Sequence, residues 1–169
     1  MTRSVLILTL LCSFTLLAIA QPVSHSKGRK APAFALEDIN GDWVELEAVR
    51  GSAPVVVDFW ATWCTPCLEE LAALQQIYSA YEPRGLVLLA ISTDTERSAA
   101  RVKPWAKSRN YTFRVLLDPN SDVARRYYVH ALPTTVIIDK NGFIVYSHTG
   151  YVKGDELEVR KIIDALLTP

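Results

Sequence analysis

Residues 55–67 read Val-Val-Val-Asp-Phe-Trp-Ala-Thr-Trp-Cys-Thr-Pro-Cys, and no other stretch restricts the fold as strongly. The apolar run fits a buried strand, broken at Thr62-Trp63 and followed by two cysteines, Cys64 and Cys67, with two residues between them. After Cys67, apolar residues stand at 68, 71, 74, 77 and 78, which is helical spacing. Cys64 is therefore placed at a strand-to-helix junction, where unpaired backbone N–H groups and the helix dipole favour a thiolate. Pro66 suits the first helical turn, because its missing N–H would have had no partner there.

A pair at this spacing can close a small disulfide ring or supply half of a zinc site. Structural zinc sites use four ligands. The third cysteine, Cys12, lies in an apolar leader, and His25, His130 and His148 show no paired spacing. A purely structural bridge is a poor explanation too, since closing so short a loop restrains the unfolded chain little. The pair reads as a redox dithiol.

The segment Asp58-Phe-Trp-Ala-Thr-Trp-Cys-Thr-Pro-Cys67, together with Leu132-Pro133-Thr134, resembles the thioredoxin superfamily. The closer resemblance is to its exported TlpA/ResA-like thiol–disulfide oxidoreductases of the redoxin family, over about residues 30–167. It implies an α/β fold: a thioredoxin-like sandwich whose central mixed sheet is flanked by helices, with an N-terminal hairpin extension and an insertion between strand and helix. The implied activity is reduction of disulfides in exported proteins, with cytochrome c maturation as one setting. The implied partners are disulfide-containing exported proteins and a membrane thiol–disulfide electron donor. No cofactor is implied, and a monomer is expected.

The rest of the chain is read around this centre. Eighteen basic residues balance eighteen acidic ones in a chain of 169, half of them hydrophobic. With no basic stripe, nucleic-acid binding has no electrostatic support. Residues 1–20 begin Met-Thr-Arg, continue apolar and end Ala-Ile-Ala, the pattern of a secretory signal cleaved before Gln21. An uncleaved anchor is the alternative, although the stretch is short for a membrane span. Export places the dithiol in an oxidising compartment at the outer face of the cytoplasmic membrane or in a periplasm. Residues 21–30 are polar and read as a tether, and 31–169 as one domain.

Within that domain, 33–36 and 43–46 flank Asn40-Gly41 as a hairpin. The central strand is 55–61, the first helix 66–81, and 86–92 a parallel neighbour. A polar-rich helix is predicted over 96–109 with Val102, Trp105 and Ala106 inward, then a strand over 113–117 and a short helix over 121–128. The stretch 93–120 corresponds to the implied insertion. A second hairpin pairs 134–139 with 143–148 around Asn141-Gly142. The last helix, 154–167, is predicted to face Leu157, Ile162, Ile163, Leu166 and Leu167 inward.

The chemistry is assigned to a few residues. Cys64, the more exposed cysteine, is the expected nucleophile and Cys67 the resolving thiol. Asp58 interrupts an apolar strand, where a carboxylate needs a partner or a proton, so a raised pKa is expected. The resemblance makes it the proton acceptor for Cys67. Glu70 lies one helical turn after Cys67, and the resemblance gives it an acid–base role as well. Which carboxylate is the base stays open, since the ResA-like relatives are associated with another residue at position 58. The resemblance also makes Pro133 a cis proline opposite the dithiol and frees the Leu132 backbone to pair with an extended substrate segment. Trp63 is expected to shield Cys64 and offer apolar contact.

Two other activities use similar parts. A DsbA-like oxidant runs the same motif in reverse. A thiol peroxidase would carry a Pro-x-x-x-Thr pattern before its cysteine, and Ala61-Thr-Trp has no such proline. An inert scaffold with a spectator disulfide would be indifferent to Cys64→Ser.

Overall fold

The computed structural model describes residues 28–51 and 53–168; the leader, most of the tether and Cys12 and His25 lie outside the described residues. The chain runs β1 (Ala35–Glu37), β2 (Trp43–Glu45), α1 (Leu46–Arg50), β3 (Val55–Trp60), α2 (Thr65–Tyr81) and β4 (Val87–Ser92). There follow α3 (Glu96–Ala99), α4 (Val102–Ser108), β5 (Arg114–Leu117), α5 (Asp122–Arg126), β6 (Thr134–Ile138), β7 (Ile144–Thr149) and α6 (Glu156–Leu167).

Five strands form one mixed sheet in the order β5-β4-β3-β6-β7. The neighbours β4 and β5 continue parallel from β3, whereas β6 and β7 run antiparallel as a hairpin. Every residue of β3 is buried, as a central strand covered on both sides requires. Alternation divides its side chains between two cores. Val56 and Trp60 face the layer with α2, α4 and α6, while Val55, Val57 and Phe59 face the layer with α5 and the N-terminal segment. Asp58 shares the parity of Val56 and Trp60 and so points under α2.

The N-terminal hairpin forms where expected, turning at Gly41 with φ +95°. Its turn lies along the outer edge of β5, with Ile39 N–H donating to Val115 O at 3.0 Å, so the hairpin covers an otherwise open sheet edge. Residues 29 and 30 join the far end of the second hairpin, Ile144 N–H donating to Arg29 O at 2.8 Å.

Two expectations are corrected and one element is new. The single helix over 96–109 is two pieces, because Pro104 has no N–H to return to the carbonyl of Ala100, and the chain turns at 100–101 instead. Leu157 is 65% exposed; Val159 and Ile163 hold the inward stripe of α6, and Leu157 sits two positions, or about 200°, round from Val159. A short helix, α1, follows β2 with Leu46 buried beneath it, and the polar look of its outward residues concealed it.

Candidate active site

The site lies at the C-terminal end of β3. There the chain makes a turn closed by Cys64 N–H donating to Ala61 O at 3.1 Å and enters α2, whose N-cap is Cys64 itself. Pro66 occupies the first turn, as its missing donor allows, and Leu68 N–H takes Cys64 O at 3.2 Å. Cys64 and Cys67 are joined as a disulfide with their Cα atoms 5.3 Å apart. Cys64 retains 6% of its surface and Cys67 none, so only the first sulfur is approachable from outside. Trp63 beside it leaves 70% of its surface in solvent. Trp60 is fully buried, its ring 4.8 Å from that of Trp105.

Pro133 immediately precedes β6 at the same end of the sheet, one residue before the Thr134–Phe59 pair. The Leu132–Pro133 peptide is cis, Pro133 is buried and Leu132 half-buried. The Pro133 carbonyl is taken by Gly150 N–H at 2.8 Å.

Beneath the disulfide, two carboxyl groups meet between the sheet and α2. Asp58 is fully buried and Glu70 is 3% exposed; Glu69, its neighbour, is exposed. Thr135, paired with Asp58 across β3 and β6, donates its hydroxyl to Glu70 Oε1 at 2.6 Å and lies 3.3 Å from Asp58 Oδ1. One hydroxyl carries one proton, so it cannot donate to both acids at once. Asp58 Oδ2 and Glu70 Oε2 are buried with no protein partner.

Burial raises the Asp58 carboxyl well above the usual carboxylate range, and the Glu70 charge raises it further. Glu70 is pushed up to about 7 by burial, against the Thr135 bond that favours its anion, with Asp155 and Glu156 adding to the rise. The two acids are linked, and Glu70 ionises first: it holds the shorter bond to Thr135, and its charge then keeps the proton on Asp58. Near neutral pH Glu70 is therefore the acid in mid-titration, while Asp58 keeps its proton.

Sequence reasoning missed two features of this site. Thr135 was passed over as an ordinary strand residue, although alternation from Ile137 would have turned it toward α2. Asp94 just after β4 is 1% exposed and accepts from both the N–H and the hydroxyl of Thr62, each at 2.7 Å. Its signal was a Thr-Asp pair directly after an apolar strand.

This constellation has clear relatives. The AhpC/TSA family matches residues 27–147. The thiol–disulfide oxidoreductase ResA of Bacillus cereus is 33% identical over 159 residues, covering 91% of this chain and 90% of its own. The thioredoxin-like protein YneN of Bacillus subtilis is 32% identical, covering 84% and 82%. Among solved structures, a Chlorobium tepidum protein provisionally assigned as the thiol:disulfide interchange protein DsbE superposes with a TM-score of 0.77 at 32% identity, covering 84% of this chain and 98% of that one. A sheet of this order, a disulfide at the mouth of α2 and these relatives agree: the chain belongs to the AhpC/TSA family, among its ResA-like thioredoxin-fold thiol–disulfide oxidoreductases.

Proposed function

We propose that the chain works as a reductase of disulfides in exported proteins, with Glu70 as the proton acceptor of the resolving step. The observation that carries this reading is the pair of buried acids sharing the Thr135 hydroxyl under a disulfide of which only Cys64 is approachable. In the reduced protein, the Cys64 thiolate attacks one sulfur of a substrate disulfide. A mixed disulfide forms and the other substrate sulfur leaves as a thiolate. Cys67 gives its proton to Glu70, one turn along α2, and its thiolate attacks Cys64. The second substrate thiolate leaves, and the enzyme closes the disulfide seen in the structure. Two electrons pass to the substrate, so a thiol donor must restore the dithiol; a membrane thiol–disulfide transporter fits the export reading. Asp58 stays protonated and keeps the negative charge on its neighbour.

Trp63 supplies apolar contact for the substrate segment, and Leu132 with Pro133 forms the backbone edge against which an extended segment can lie. The apolar stretch at 5–20, ending Ala-Ile-Ala, supports export, and no described helix is long and apolar enough to cross a membrane. The likeness to ResA-like proteins supports cytochrome c maturation as the setting, with paired cysteines of an exported apoprotein as substrate.

The test is the reduction potential of the Cys64/Cys67 pair, set by equilibration against glutathione or dithiothreitol. A reductase is expected near thioredoxin's value, roughly −270 mV; a value near roughly −120 mV would mean that the protein installs disulfides.

A further inference from the structure

When the Cys64–Cys67 bond is open, no covalent link holds the Cys64 sulfur over α2. The Cys64 backbone is then fixed by two hydrogen bonds, its N–H donating to Ala61 O at 3.1 Å within the turn 61–64 and Leu68 N–H donating to its carbonyl at 3.2 Å in the first turn of α2. Cys64 acts as N-cap without a side-chain bond to the helix. The turn is held from outside, by the end of β4. Thr93 N–H and hydroxyl donate to Trp60 O at 2.9 and 3.2 Å, and Thr62 N–H and hydroxyl donate to the two oxygens of Asp94 at 2.7 Å each. Ser92 steadies that carboxylate, donating its hydroxyl to Oδ2 at 3.0 Å and accepting the Asp94 N–H at 3.1 Å. Asp94 is thus a buried acceptor that, steadied by Ser92, grips both the main chain and the side chain of Thr62, two positions before the nucleophile.

We propose that Asp94, acting through Thr62, is a positioning residue that keeps Cys64 over the helix N-terminus while the dithiol is reduced. The inference rests on the dithiol reading above but not on the direction of electron flow. Charge-assisted bonds of this length are among the stronger ones available to a side chain. The influence of a helix N-terminus fades within its first turn, so a small drift of the turn takes the sulfur out of its field. A loosened Thr62 should therefore lower the thiolate fraction of Cys64.

The experiment measures alkylation of Cys64 by iodoacetamide against pH, on the reduced full chain, with the modified residue identified by mass. Thr62→Val removes the hydroxyl donor and leaves both the Asp94 charge and the backbone bond. It should move the midpoint of the profile to higher pH and slow alkylation at pH 7 by about three- to tenfold, in proportion to the lost thiolate. Thr62→Ser keeps the donor and should restore the wild-type profile. Circular dichroism of the oxidised variants establishes that each has folded before reduction. Asp94→Asn is a second arm with two opposed effects, since it weakens the grip but also removes a negative charge that disfavours the thiolate. An unchanged midpoint in Thr62→Val, or a Thr62→Ser profile that matches Thr62→Val, overturns the proposal. So does a midpoint lowered by Asp94→Asn together with an unmoved Thr62→Val, which would make Asp94 a charge and nothing more. A reduction potential at the oxidant end would overturn the reductase reading and leave this one standing.

Discussion

At the scale of single residues, the question left open by the sequence is which of two acids accepts a proton. Asp58 and Glu70 both lie under α2, yet the Thr135 hydroxyl is 2.6 Å from one and 3.3 Å from the other. An acid that keeps its proton near neutral pH cannot serve as a base, so Asp58→Asn should leave resolution of the mixed disulfide within about threefold of wild type. Glu70→Gln removes the acceptor and should slow that step about a hundredfold, the usual scale for a positioned general base. Rapid-mixing kinetics of a Cys64-linked mixed disulfide measures both, and the reverse order of effects would transfer the role to Asp58. Because Glu70 must be ionised to accept, the step should quicken as pH rises through about 7 and slow below it. Thr135→Val should narrow the gap between the variants, since the shorter bond from the bridging hydroxyl favours the Glu70 anion on top of the difference that burial makes. The dithiol was legible from spacing and the buried Asp58 from its place in an apolar strand, whereas Glu70 was singled out through the family resemblance. Thr135 and Asp94 were not, because their roles depend on what lies across the sheet.

Elements were legible where local signals and burial agreed. β3 and α2 came within a residue of their bounds, since a full apolar run and a helical stripe meet at a dithiol. Both hairpins followed from an Asn-Gly pair, with Gly41 and Gly142 at φ +95° and +86°. Failures fell where one signal was read without its neighbours. In α6 Ile162, Ile163, Leu166 and Leu167 do pack on the core, but at the first turn Leu157 was assigned inward and Val159 omitted. The structure therefore makes a paired prediction. Leu157→Gln should change stability by less than about 0.5 kcal/mol, as an exposed substitution does. Ile163→Ala, at a fully buried site, should cost about 3 kcal/mol through lost burial and a residual cavity. Urea unfolding of the oxidised protein decides it, and equal losses in the two variants would contradict the phase of the helix.

For the whole molecule, the buried acids tie folding stability to pH in a direction opposite to that of an ordinary ion pair. Glu70 has a folded value of about 7 against an ordinary 4.5, so the folded protein binds more protons than the unfolded chain between those limits. The stabilisation this gives is fully present below pH about 4.5 and is lost as pH rises through about 7. The gap corresponds to roughly 3 kcal/mol. Asp58 pushes the same way, its buried carboxyl being easier to hold as a neutral acid. The oxidised protein should therefore unfold more readily in urea at pH 8 than at pH 5.5. Glu70→Gln should flatten much of that slope, because a side chain that never ionises cannot exchange protons on unfolding. Should the variant keep the full wild-type slope, the titrating group lies elsewhere, and the assignment of Glu70 as the acid that ionises near neutral pH fails with it. A protein that stores its proton acceptor in the core thus gives up stability at the pH where that acceptor is ready to work, which makes the stability profile an independent check on the mechanism.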